Sequence, residues 1–205
     1  SSDLLNTELL PDSPALQTQR DALLRDLALM RDLVSDLLES ERLTSPHAAL
    51  QREPTDLAAL VAEVVASLEG GPVVRQDMAT KLPLLQLDRA RMRLLLRNLL
   101  DNALRHSTAA AQPPQISVRA EGQTAGGGAP GVCITVRDHG PGVDAAALPH
   151  LAEPFYRPDA SRERATGGVG LGLYLCKLVA LAHGGSFALD NAEPGLRVTV
   201  TLPGA

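Results

Sequence analysis

Aromatic side chains make up only 2% of the 205 residues, too few for the stacked platforms that hold single-stranded nucleic acid. A basic excess is missing too. The formal charge is −5 at pH 7, so neither nucleic acid nor an anionic membrane surface is an expected partner. Cysteine is scarce: Cys133 and Cys176 lie among apolar neighbours, fitting neither a disulfide framework nor a metal site and pointing to a reducing compartment. No apolar run approaches the roughly 18 residues that cross a bilayer, and no signal peptide is visible. A cytoplasmic location is therefore expected, with any inner-membrane anchor in segments outside these residues. What is present, 44% hydrophobic and 21% charged, suits a soluble chain with one sizeable core, or one domain plus an appendage.

Glycine and proline are absent from Asp21 to Thr44, where Leu23, Leu27, Met30, Val34 and Leu37 step by four, three, four, three. That is heptad spacing over about three repeats, with Leu24, Leu33 and Leu38 widening the stripe. Two accounts are open: a helix packed on its own domain's core, or a seam in a helical bundle, between subunits. Leu4, Leu5, Leu9 and Leu10 read as the tail of an earlier helix, stopped by Pro11-Asp12-Ser13-Pro14. The pair predicts a helical hairpin over residues 1–50 whose first helix is cut short. Ser45-Pro46 and Arg52-Glu53-Pro54 read as a linker.

Residues 51–205 predict a mixed α+β domain. Thr55-Asp56 can cap a helix over Leu57–Leu68, followed by short strands at Val73–Asp77 and Leu84–Leu87. Asp88 opens a long helix to His106. Gln115–Glu121 and Gly131–Asp138 alternate around Gly126-Gly127-Gly128 as a β-hairpin. A helix over Gly170–His183 stops at Gly184-Gly185. Strands at Ser186–Asp190 and Arg197–Leu202 close the chain, giving helices on one face of a mixed sheet.

Three segments carry chemistry. In Arg97-Asn98-Leu99-Leu100-Asp101-Asn102-Ala103-Leu104-Arg105-His106, helical spacing puts Asn98, Asn102 and His106 on one face. Carboxamides on a leucine-rich helix need partners or a wet cavity, and their oxygens can ligate Mg²⁺. A plain solvent face is the alternative. In Val136-Arg137-Asp138-His139-Gly140-Pro141-Gly142, a strand-end carboxylate precedes a glycine-bracketed turn, where the backbone can approach a flat ligand. An ordinary tight turn would look the same. In Thr166-Gly167-Gly168-Val169-Gly170-Leu171-Gly172-Leu173, glycines opening a helix present bare N–H groups that suit phosphate. A flexible loop feeding a close-packed helix is the alternative there. The pattern is neither a Walker A motif nor a Rossmann fingerprint.

In this order, the three segments resemble the N, G1 and G2 boxes of the ATP-binding domain shared by histidine kinases, Hsp90, DNA gyrase and MutL. Glu153-Pro154-Phe155-Tyr156-Arg157, with Arg162 beyond it, is similar to the F box of sensor histidine kinases, and the hairpin resembles the later part of their dimerisation and phosphotransfer domain. The resemblance implies a two-layer α/β sandwich of the Bergerat type with an N-terminal helical hairpin. It implies ATP or ADP and Mg²⁺ as ligands, a homodimer through the hairpin, and a response regulator receiver domain as partner. It implies that Asn102 ligates Mg²⁺ with Asn98 beside the nucleotide, and that Arg105 and His106 reach phosphate or ribose. Asp138 would bind the adenine amino group, in a pocket shaped by Gly140 and Gly142. Gly168, Gly170, Leu171 and Gly172 would form the lid hinge and phosphate loop, with Phe155 packing the lid and Arg157 or Arg162 approaching the γ-phosphate.

Asn98 bears on the chemistry. The ATP-hydrolysing members and serine kinases of that superfamily carry a Glu four residues before the Mg²⁺-binding Asn. A carboxamide is no general base, whereas a neutral imidazole acceptor needs little base assistance. The expected activity is phosphoryl transfer from ATP to a histidine. The alternatives are a non-catalytic nucleotide-sensing pseudokinase and an Hsp90- or MutL-type ATPase. Two departures stand out. None of His47, His106, His139, His150 or His183 lies in the family's His-Glu-x-x-Thr/Ser-Pro acceptor context, and Ala152 stands where the F box usually has an aromatic residue. His183 is expected to cap a helix end, and His47 and His150 to lie at the surface.

Overall fold

The computed structural model describes residues 14–45, 49–69, 71–108, 110–122, 130–158 and 169–204. The shortened first helix of the expected hairpin, the glycine-rich turn at 126–128 and His47 lie outside the described residues.

Proline is well placed in the first turn of a helix, where its missing N–H is no loss, and Pro14 starts helix α1, Pro14–Thr44. Strand β1 (Arg52–Thr55) follows, then helix α2 (Leu57–Ser67), capped by the Asp56 carboxylate accepting from the Ala59 N–H at 3.1 Å. Strands β2 (Arg75–Met78) and β3 (Leu85–Asp88) lead to helix α3, Arg89–His106. Strands β4 (Gln115–Ala120) and β5 (Val132–Arg137) precede helix α4 (Gly172–Ala182), and strands β6 (Ser186–Asn191) and β7 (Leu196–Leu202) finish the chain. No helix among the described residues is long and apolar enough to cross a membrane.

The main sheet has the order β2-β4-β5-β7-β6, with β2 parallel to β4 and every other pair antiparallel. The β4–β5 pair is the expected hairpin, in register from Gln115↔Arg137 to Ala120↔Val132. Alternation decides which face is covered. Ile116, Val118, Val132, Ile134, Val136, Val198, Val200 and Leu202 are buried, and the intervening Thr135, Arg137, Thr199 and Thr201 are only partly so. The buried residues join the apolar stripes of α2, α3 and α4 in one core, giving two layers.

Three readings of the sequence need correction. Arg52-Glu53-Pro54 is no linker: with Thr55 it forms β1, antiparallel to β3 in a separate two-stranded sheet. Pro54 there is tolerated because β1 has a partner on one side only. Second, Val73 ends a 3-10 turn, so the strand begins at Arg75. Gly170 and Leu171 also precede α4 rather than belong to it.

His183 does cap a helix end, in a more specific way than its position next to Gly184-Gly185 implies. Its ring is buried, Nδ1–H donates to the Val179 carbonyl at 2.8 Å, and Nε2 accepts the Asp88 N–H at 3.0 Å. Asp88 in turn caps α3 through the Arg91 N–H and accepts the Gln51 N–H, both at 3.1 Å. The imidazole therefore ties the end of α4 to the start of α3, and the Asp88 carboxylate extends the link to the chain arriving from α1.

The heptad stripe is not packed on this chain's core. Leu23, Leu24, Leu27, Met30, Val34, Leu37 and Leu38 are all at least half exposed. A different face of α1, with Leu33 half-buried and Leu43 buried, lies against α4. Glu39 fastens it, accepting from Arg91 of α3 at 2.9 Å in a largely buried ion pair.

Candidate nucleotide-binding site

Asp138 follows β5 directly, and its N–H continues the ladder by donating to the Leu196 carbonyl at 3.0 Å. The carboxylate is buried, and its Oδ1 accepts from the N–H groups of Gly140 (2.9 Å) and Leu196 (3.1 Å). No hydrogen bond among the described residues falls on Oδ2. Close backbone approach makes this possible. A Cβ at Gly195, where φ is +95°, would lie 2.0 Å from the Asp138 carbonyl oxygen and 2.8 Å from Oδ1. Gly142, at φ +74°, turns the chain under Asn191, whose carboxamide clasps both backbone groups of Val143 at 3.1 and 2.7 Å.

The wall beside Asp138 is α3. Its last turns present Asn98, Asp101, Asn102, Arg105 and His106 to a cavity of about 400 Å³ that Asp138 also lines. Asn98 and Asn102 are half-buried, while Arg105 and His106 are exposed. The nitrogen of the Asn98 carboxamide is buried without a hydrogen-bond partner among the described residues, an orphan that a bound ligand would satisfy. Burial holds the Asp101 carboxyl above its ordinary range, against the pull of Arg97 and Arg105.

Across from Asn98 is the start of α4. Gly172 opens the helix, and Leu171 before it offers no side-chain cap, so the first N–H groups face the cavity uncapped. A Cβ on Gly172 would sit 3.6 Å from Asn98 Oδ1. Gly170, at φ +79°, packs on the backbone of Phe155 and Tyr156 and accepts the Phe155 N–H at 3.0 Å. Val169, Tyr156, Arg157 and Pro158 line this rim.

The expected residues thus converge on one cavity. Asn98, Asn102, Arg105, His106, Asp138, Gly142, Arg157, Gly170, Leu171 and Gly172 all line it. Gly140 does not, but braces Asp138 from behind. Phe155 does not either: its side chain is exposed and Tyr156 takes the place at the rim. Arg162 and Gly168 lie outside the described residues. Ala152 is buried, so its position is filled without an aromatic ring. Sequence reasoning missed Asn191 and Gly195, which hold the Asp138 turn. Gly195 was signalled by Pro194-Gly195, whereas an isolated Asn at a strand end signals nothing. It also missed Asp32, Leu33 and Asp36, which bring α1 to the cavity wall.

The described residues hold no group of three His, Cys, Asp or Glu side chains that could cage an ion. Carboxamide oxygens of Asn98 and Asn102 are hard donors on one face, which fits an ion arriving with a phosphate ligand rather than a resident protein cage.

A mixed sheet covered on one side by helices, with a cavity between a carboxamide-bearing helix and a glycine-opened one, defines a two-layer nucleotide-binding domain. Residues 87–205 match the family described as histidine kinase-, DNA gyrase B-, and HSP90-like ATPase. The chain belongs to that family. Its curated relatives are sensor kinases. It is 34% identical over 185 residues to the sensor protein RstB of Escherichia coli K12, across 86% of this chain and 39% of that protein. It is 37% identical over 207 residues to the sensor protein SphS of Synechococcus elongatus, across 95% and 48%. Among solved structures, full-length ShkA in complex with AMPPNP superposes with a TM-score of 0.70 at 25% identity, across 92% of this chain and 39% of that one. The chain carries the ATP-binding catalytic region of a two-component sensor histidine kinase. It spans less than half the length of those relatives.

Proposed function

We propose that this region binds ATP with Mg²⁺ and transfers the γ-phosphoryl group to a histidine on a helical domain, for relay to an aspartate of a response regulator receiver domain. One observation carries the reading. A single cavity has a buried carboxylate with one oxygen unengaged among the described residues, and an uncapped helix N-terminus facing a carboxamide pair.

In this reading Asp138 Oδ2 accepts from the adenine amino group, while Gly140, Gly142 and Gly195 keep the carboxylate aimed. The α4 N-terminus, with Gly170 and Gly172, receives phosphate oxygens. Asn102, assisted by Asn98, holds Mg²⁺, and Arg105, His106 and Arg157 attend the phosphates and ribose. Bound Mg²⁺ would supply charge neutralisation across the phosphate chain. Asn98 stands where a hydrolytic enzyme needs a base, so positioning for an external imidazole is favoured over activation of water. Arg162, Gly168 and Phe155 belong to the same proposal as parts of the lid. A homodimer through α1, a cytoplasmic location, and any membrane anchor in other segments complete it.

The test is calorimetric titration with ATP and ADP, with and without Mg²⁺, beside Asn102→Ala. Mg²⁺-enhanced binding that the variant loses supports the assignment. Binding by neither protein would mean that the site survives only as architecture. The chain offers no family-type acceptor histidine, so label from γ-labelled ATP should not be incorporated unless an acceptor helix is supplied.

A further inference from the structure

Helix α1 contributes Asp32, Leu33 and Asp36 to the wall of the nucleotide cavity, and the two carboxylates have unequal surroundings. Asp32 is exposed and paired with Arg31 at 2.8 Å. Asp36 is half-buried and has no ion pair or hydrogen bond among the described residues. Helix α1 packs against α4, whose uncapped start at Gly172 lines the same cavity as Asp36. Partial burial first, and Asp32 second, hold its carboxyl above the ordinary range. The Glu39–Arg91 pair, three residues along α1, keeps the helix seated there.

We infer that Asp36, carried on the docked α1, is a specificity-determining residue of the nucleotide site, disfavouring ligands in proportion to the negative charge of their phosphate tail. The inference rests on the nucleotide reading above and deepens it. The cavity whose N–H and guanidinium groups would attract phosphate also holds a carboxylate with no partner among the described residues, on an element outside the family-matched residues. Free ATP is penalised more than ADP, and adenosine not at all. Divalent cation lowers the charge of the tail and so relieves the penalty. The docked helix therefore weakens binding of the triphosphate relative to the diphosphate, and helix release removes that bias.

The test compares the chain with Asp36→Asn, an isosteric change that removes the charge. Affinities for adenosine, ADP and ATP are measured by calorimetry without and with Mg²⁺, at low salt and at about 0.5 M salt, where screening shortens the reach of charge to a few ångströms. One charge in a partly solvated cleft is worth on the order of three- to tenfold in affinity for ATP. The expected result is that gain for ATP, a smaller one for ADP, none for adenosine, and shrinkage of the gain in salt or Mg²⁺. Asp32→Asn should give a smaller gain, because Arg31 already offsets it. Equal gains for adenosine and ATP would overturn the inference in favour of a steric effect. Loss of ATP affinity in Asp36→Asn would also overturn it. Adenosine and ADP binding that Asp36→Asn leaves unchanged, with ATP unchanged as well, would defeat this inference alone. No binding of any of the three by either protein would defeat the nucleotide reading itself.

Discussion

At the scale of single residues, the site depends on backbone approach as much as on functional groups. Gly195→Ala would put a Cβ 2.0 Å from the Asp138 carbonyl oxygen at a position of positive φ, so something must shift. The expected cost is at least about 2 kcal/mol, with nucleotide affinity falling further than stability because Asp138 is displaced. Denaturant unfolding and calorimetry on one preparation separate the two losses. His183 gives a pH prediction. Burial lowers its pKa below the ordinary 6.5, chiefly against the raising effect of its bond to the Val179 carbonyl. The unfolded chain therefore binds the proton first as pH falls. The stability this neutral ring contributes is complete above pH 6.5 and is lost as pH drops below it, by up to about 1.4 kcal/mol per pH unit. His183→Gln keeps a donor and an acceptor but has no such titration. The difference in unfolding free energy between the two proteins should change between pH 7 and pH 5.5. A parallel pair of curves would refute the role given to the ring.

At the scale of elements, what the sequence disclosed and what it hid follow one physical division. Local signals were legible. Asp56 and Asp88 cap the helices they precede, and the alternation in β4 and β5 marks a hairpin that pairs as expected. Asn98 and Asn102 share the face that helical spacing requires. Signals that depend on a distant partner were not legible. Arg-Glu-Pro-Thr has no strand character until β3 lies beside it, and Asn191 has no role until the Asp138 turn arrives. On α1, periodicity located an apolar stripe but not which face would meet the catalytic domain. Leu33 was counted in that stripe and turns instead toward the cavity. The docking of α1 is held by Glu39 and Arg91, with side chains 19% and 14% exposed, and one nitrogen of Arg91 is already buried without a hydrogen-bond partner among the described residues. Glu39→Ala leaves that guanidinium with only its longer, 3.8 Å contact to Asp88, at a cost of about 1–3 kcal/mol to docking. Hydrogen exchange across Leu33–Leu43 should accelerate while α2 keeps its protection. Uniform acceleration would mean instead that α1 and the catalytic domain unfold as one unit.

At the scale of the whole molecule, two faces of α1 serve different ends. One face seats on α4 and brings Asp36 to the cavity. The other leaves seven large apolar side chains at least half exposed along one side of the helix, more contiguous apolar surface than a monomer ordinarily leaves in water. Heptad spacing gives that face a geometry that another helix can match, and a second copy of the same stripe is the partner the proposed homodimer requires. Leu27 and Val34 lie near its middle, and neither lines the cavity. Replacing both with Glu should shift sedimentation from a concentration-dependent dimer to a monomer, since like charges would face each other across the seam. Nucleotide affinity should be unchanged, because the cavity draws on Asp32, Leu33 and Asp36 from the other side of the helix. A parent chain that sediments as a monomer at tens of micromolar would show that this stripe alone does not hold two copies together. A change in affinity on introducing the two glutamates would mean instead that the faces are coupled, and that association at the seam alters how α1 presents its carboxylates to the nucleotide.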